Sequence, residues 1–210
     1  MNYSQLVSEI QSYVENQFRT EDINTFIKSA EQRIYNQIQL PALRKNVTGN
    51  ATSGNKYLTC PSDWLATFSL AVIDPVTGEY DYLLNKDVNF IREAFPYPAV
   101  EGKPTHYAQF DQDTFILGPT PDDDYDMELH YFYYPASIVD AGTSWLGDNF
   151  DTALLYGCLL EAYVFMKGEQ DVMAAYQKRY DEAMAMLKML GDGKNRTDAY
   201  RDGQARYPVM

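Results

Sequence analysis

The stretch Asn149–Leu190, NFDTALLYGCLLEAYVFMKGEQDVMAAYQKRYDEAMAMLKML, decides the fold. It predicts two helices broken at Gly168. The first, Asp151–Lys167, carries Ala153, Leu154, Tyr156, Gly157, Leu160, Ala162, Tyr163, Val164 and Met166 around most of its circumference. A helix with so little polar face is buried on several sides. The second, Glu169–Leu190, places Val172, Met173, Tyr176, Tyr180, Met184, Leu187 and Leu190 on one stripe at three- and four-residue steps. Gln177, Lys178, Asp181, Glu182 and Lys188 fall on its other side. Acidic residues in the first turn and Lys188 in the last suit the helix dipole. At ~1.5 Å per residue this helix is ~33 Å long, enough to span a small domain. Gly191, Gly193 and a polar run are expected to end it.

At the other end of the chain the same period recurs. Tyr3, Leu6, Val7, Ile10, Tyr13, Val14 and Phe18 predict a helix over Tyr3–Phe18. Ile23, Phe26, Ile27, Ala30, Ile34 and Ile38 predict a second over Asp22–Leu40, stopped by Pro41, with Glu31, Gln32, Arg33 and Gln37 facing outward. From Val47 the period changes to two. Extended pieces are expected at Lys56–Thr59, Trp64–Ile73, Glu79–Leu84, His106–Phe110, Thr114–Leu117 and Asp126–Tyr134, separated by turn residues, with a short helix over Lys86–Phe95. The last strand puts aromatic residues on both faces, which suits a central strand or one covered by a partner. Asp140–Asp148 reads as a loop. The expected fold class is therefore α+β. N- and C-terminal helix pairs (1–46 and 141–190) form one bundle, a β-rich subdomain (47–140) is inserted between them, and 191–210 is an extended C-terminal arm.

The totals restrict function. The 210 residues suffice for one large domain or two small ones. A formal net charge of −13 argues against binding phosphate backbones over most of the surface. Eighteen Tyr and ten Phe are a surplus that suits interfaces as well as cores. Cys60 and Cys158 lie far apart in sequence, and free thiols of a reducing cytoplasm are the expectation, with one disulfide as the alternative. The N-terminus MNYSQLVSEI lacks a signal-peptide pattern, and no run approaches ~18 apolar residues, so no membrane span is expected.

A search for chemistry finds little. The sequence has no glycine-rich phosphate loop, G-x-S-x-G, H-E-x-x-H or paired C-x-x-C. His106 and His130 fall on predicted strands without partners at metal-ligand spacing. The acidic run Asp122-Asp123-Asp124-Tyr125-Asp126 fails as a calcium loop, because Met127 and Tyr133 occupy its sixth and twelfth positions. Nothing selects a carboxylate pair for hydrolysis. No catalytic residue, metal or cofactor is expected. The tail GDGKNRTDAYRDGQARYPVM differs from the rest of the chain. Lys194, Arg196, Arg201 and Arg206 against Asp192, Asp198 and Asp202 make it net +1, which leaves −14 on the remainder. It has no apolar period and no core of its own, so it is either a disordered end or an arm that orders on a partner.

Several segments together resemble one family. They are AEQRIYNQIQLPALRKN, LTCPSDWLA, KDVNFIREAFP, FILGPTPDDDYDMELHYFYYPASI, WLGDNFDTALLYGCLLEAYVFMKGEQD and GDGKNRTDAYRDGQARYPV. In that order and over essentially the full length, the chain resembles the head-to-tail adaptor proteins of short-tailed bacteriophages. The resemblance implies a helical core with an inserted β domain, assembled as a dodecameric ring at the head–tail junction of the virion after synthesis in the host cytoplasm. It implies that the C-terminal arm reaches the portal protein, that the distal part receives tail, nozzle or fibre proteins, and that DNA passes the channel without specific binding. Carried onto this chain, Arg196, Tyr200, Arg201, Arg206 and Tyr207 are the portal-contact candidates, chosen for their chemistry as anchors. The competing reading is another virion binding module, such as a fibre- or receptor-attachment protein.

Overall fold

The computed structural model describes residues 1–74, 77–97 and 99–195, the last four of these by backbone alone. The five residues chosen as portal contacts lie outside them. The described chain is mixed α+β, with seven α-helices and two four-stranded sheets among the described residues. It divides into two compact units: Met1–Leu43 together with the chain from Tyr134 onward, and Arg44–Tyr133.

The helical unit is built on α1 (Tyr3–Val14), α2 (Thr20–Tyr35), α6 (Asp151–Met166) and α7 (Gln170–Asn195), with α4 (Ile138–Ala141) and α5 (Trp145–Asn149) before α6. Asn2 starts α1 through a capping box with Gln5, which satisfies two backbone donors reciprocally. In α6 every residue from Ala153 to Leu160 is buried, because α1, α2, α5 and α7 all pack on it. Leu6, Ile10, Ile27, Leu160 and Leu187 share its core. Gly157 permits a close approach of α6 to α2: a Cβ there would stand 3.2 Å from that of Ala30. Helix α6 ends with Lys167 in the left-handed region (φ 55°), and the Gly168 amide donates to the Tyr163 carbonyl.

Several local expectations change. Helix α7 does not stop at Leu190 but runs on to Asn195. Gly191 is buried against α2's exit, where a Cβ would meet the Gln39 carbonyl oxygen at 2.9 Å, so this glycine serves packing rather than termination. Two short helices replace the loop expected at Asp140–Asp148, each started by a serine side chain, Ser137 and Ser144, that accepts from a backbone amide. Glu31 does not face outward. It is 3% exposed, and its carboxylate accepts from the Ile138 amide at 3.0 Å.

In the β unit, β1 (Arg44–Ala51), β3 (Ala66–Ile73), β4 (Tyr80–Tyr82) and β8 (Tyr125–Phe132) form an antiparallel sheet in the order β1-β8-β3-β4. The second sheet has the order β2-β7-β6-β5, from β2 (Tyr57–Thr59), β5 (Leu84–Asn85), β6 (His106–Gln109) and β7 (Thr114–Gly118). Strand β8 is central, and its alternation sends Met127, Leu129 and Tyr131 inward against Phe115, Leu117 and Tyr107 of the other sheet. The chain changes sheets at Leu83, a core residue whose amide donates to the Leu70 carbonyl. Helix α3 (Val88–Ala94), capped by Asp87, covers the outer side of the second sheet through Ile91, Ala108 and Ile116. Strand β1 was not expected as an element. Its sequence RKNVTGNA has no alternation of its own, and pairing with β8 makes it a strand.

Candidate functional site

The groups that sequence chemistry singled out are used locally. His106 and His130 lie on different sheets. His106 Nδ1 is 2.8 Å from Thr105 Oγ1 and its ring lies 5.5 Å from that of Phe90; the His130 ring meets Phe68 at 4.9 Å. In the acidic run, Asp122 accepts from the Tyr125 hydroxyl at 2.7 Å, Asp124 from the Ser53 amide and Asp126 from Asn50. That bond to Asp122 pushes the Tyr125 hydroxyl up to about 12. Among the described residues no group of three or more His, Cys, Asp or Glu could hold a metal ion. Cys60 and Cys158 are free, buried and in different units. Burial pushes the Cys158 thiol well up and takes that of Cys60 to about 12, in the second case helped by Asp113 and Asp111. Neither is poised as a nucleophile.

Exposed apolar groups gather in three places instead. The outer face of the first sheet carries Arg44, Phe132, Phe68 and His130 at one end, and Tyr80 and Tyr82 at the other. The Arg44 guanidinium lies 4.4 Å from the Phe68 ring centre and 5.4 Å from that of Phe132. Tyr82 is 65% exposed, and the Tyr80 hydroxyl donates to Glu128, whose charge raises its pKa. In the helical unit, Val164 and Phe165 at the end of α6 are open to solvent, with Phe165 against Phe18 and Phe26. On α7, Met186 and Met189 point away from the core, the latter 74% exposed. Aromatic and methionine side chains of this kind are the ones enriched where proteins meet.

Besides these exposed groups, a cleft opens between the edge strands of the two sheets. It has a volume of about 240 Å³ and is lined by Val47 and Gly49 of β1, Leu58 of β2, Cys60, Leu70 and Met127, among others. Close by, Lys45, Asp63 and Tyr131 form a linked group: Lys45 Nζ and the Tyr131 hydroxyl each lie 2.8 Å from the Asp63 carboxylate. The Lys45 bond holds Asp63 below the usual carboxylate range.

Sequence reasoning missed the cleft because it missed β1. It also passed over Met186 and Met189, although their positions between the stripe residues Met184, Leu187 and Leu190 already place them off the buried face. With this geometry in place, comparison with known proteins adds the decisive fact: the model of the SU10 adaptor protein family matches residues 1–207. No curated protein matches the chain.

Proposed function

Because the chain belongs to the SU10 adaptor protein family, a family of structural phage proteins, we propose that it is the head-to-tail adaptor of a short-tailed bacteriophage. In this reading copies of the chain form a dodecameric ring beneath the portal, hold tail, nozzle or fibre proteins on the distal side, and enclose part of the DNA exit channel. The observation that carries it is the extent of the family match, which spans both units and most of the tail rather than one of them.

The physical properties of the chain support the parts of this role. An acidic body suits a conduit, since negative walls repel phosphate and let DNA slide. A ring needs two different patches on each subunit, one meeting the other on the next copy. The outward side of α7 with Met186 and Met189, and the aromatic outer face of the first sheet, provide apolar area of that kind. The terminal helix pairs act as the bundle that holds the ring, and the tail is the arm. Arg196, Tyr200, Arg201, Arg206 and Tyr207 anchor that arm on the portal. Beyond Asn195 an extended chain reaches at most ~50–54 Å, enough to cross a neighbouring subunit.

Deleting Asp198–Met210 tests the reading. The truncated protein keeps Leu187 and the core around it, so it folds, but it no longer attaches to portal-bearing heads, and assembly stops at DNA-filled heads that leak. Attachment of the truncated protein at wild-type affinity would show that docking lies elsewhere.

A further inference from the structure

Strand β1 ends the first sheet, and β2 ends the second on the same side of the β unit. Along the free edge of β1, alternate backbone N–H and C=O groups have no strand opposite among the described residues. Natural proteins guard such an edge with proline, a bulge or charged side chains. Proline and a bulge are absent here, and the charged side chains stand at one end only. Arg44–Ala51 contains no proline and pairs with β8 without a register break. Its two cations are engaged elsewhere, Arg44 on the Phe68 and Phe132 rings and Lys45 on Asp63.

The cleft lies where an added strand would use it. Register places Val47 opposite Leu129 and Gly49 opposite Met127, all four on the inner face. Side chains alternate along a strand, so every second residue of a strand laid beside β1 would stand next to Val47 and Gly49, over the apolar cleft. At Gly49 the space is open: a Cβ there meets nothing within 4 Å. The Ala51 end of this edge is acidic, whereas its other end carries Arg44 and Lys45. Asp122, Asp123, Asp124 and Asp126 lie at the Ala51 end, tied to it through Ser53 and Asn50. Asp113 and Asp111 lie beside Cys60, whose amide donates to the Asp113 carbonyl at 2.7 Å. Among the described residues none of these six carboxylates is in an ion pair.

We propose that the β1 edge and the cleft beneath it bind an extended segment of another protein, added as a further strand, with apolar side chains at alternate positions and a basic residue at the end that meets Ala51. Main-chain hydrogen bonds hold the segment, the cleft selects its apolar side chains, and the acidic end selects its charge. This site is independent of the portal reading, since it lies wholly in the β unit and asks nothing of the C-terminal arm.

The test uses the full chain and a fluorescein-labelled peptide, Arg-Val-Thr-Val-Thr-Val-Arg, followed by anisotropy. Saturable binding is expected. Gly49→Leu, which fills the cleft from within, should weaken it at least tenfold while Trp64 fluorescence shows an unchanged thermal transition. Replacing both peptide arginines by glutamate should weaken it similarly. The double variant Asp123→Asn, Asp124→Asn should lower affinity several-fold and flatten its salt dependence. The proposal is overturned by an absence of saturable binding up to millimolar peptide, or by equal binding to Gly49→Leu. It is also overturned by equal binding of the glutamate peptide, or by salt-independent affinity. Concentration-dependent dimers that Gly49→Leu abolishes would overturn it too, because a second copy would then occupy the edge.

Discussion

In the helical unit, Leu6 near one end of the chain and Leu187 near the other belong to the same core, whereas every core partner in the β unit lies within Arg44–Tyr133. The first unit therefore closes a longer loop when it folds than the second, in which β1 pairs with β8 across most of the inserted stretch. Loop closure costs entropy that grows slowly with length, so both cores depend on distant contacts, the helical core on the most distant. Their surfaces differ in the same sense. Tyr57, Phe68, Tyr80, Tyr82 and Tyr97 are open to solvent on the β unit, where short strands leave edges and faces uncovered. On the helical unit the exposed apolar groups are fewer: Tyr13, Tyr134, and those at the end of α6 and on the outer side of α7. The unit joined from both ends is built to hold together, and the inserted one is built to present surface.

One tryptophan in each unit lets this comparison be broken. Trp64 packs edge-on against Phe115 in the β unit, and Trp145 stacks on Phe150 in the helical unit. Trp64→Phe and Trp145→Phe variants each leave one reporter. The largest effect is expected from removing Met1–Leu43. The helical unit then loses α1 and α2, and the Trp145 reporter should show no cooperative transition, while the Trp64 reporter keeps its own. A simultaneous loss of both transitions would mean that the units do not fold separately.

Next in size is Leu160→Ala, which empties a buried position on α6. A loss of ~2–5 kcal/mol is expected in denaturant titrations read through Trp145, with the Trp64 transition unmoved. Glu31→Ala comes third. It strips the Ile138 amide of its carboxylate partner in a buried place, a loss of ~1–3 kcal/mol, whereas Glu31→Gln keeps an acceptor oxygen and should lose less.

The smallest expected effect separates the units by sign of pH response. Burial pushes the Glu31 carboxyl up, so between the ordinary glutamate range and that raised value the folded state holds the extra proton. Stability from this group therefore rises as pH falls. Asp63 behaves oppositely. Its carboxyl is held down by Lys45, so its contribution is present above the ordinary aspartate range and is lost as pH falls through the lowered value. Glu31→Gln should flatten the first slope in the Trp145 transition, and Asp63→Asn the second in the Trp64 transition. Equal slopes in wild type and variant would remove these groups from the acid response.

The four long helices were legible because each carries its own apolar period, and the period survives whatever packs against it. The same holds in part for β8, whose aromatic residues on both faces called for a central strand or one covered by a partner; the sheet order makes it central. The α+β class, the succession of helices, strands and helices, and the resemblance to phage adaptors were all readable at that level, since they depend on local pattern and on the order of segments along the chain. Other features were decided by residues brought together from afar. RKNVTGNA becomes a strand only because β8 offers it hydrogen bonds. Glu31 is polar and so reads as a surface residue, until the Ile138 amide, far along the chain, gives its carboxylate a reason to be buried. Gly191 reads as a helix stop until the Gln39 carbonyl closes on it and turns the missing Cβ into a packing requirement. The cleft beside Gly49 exists only between two edges, and no period in a single strand records the space that a neighbouring sheet leaves open.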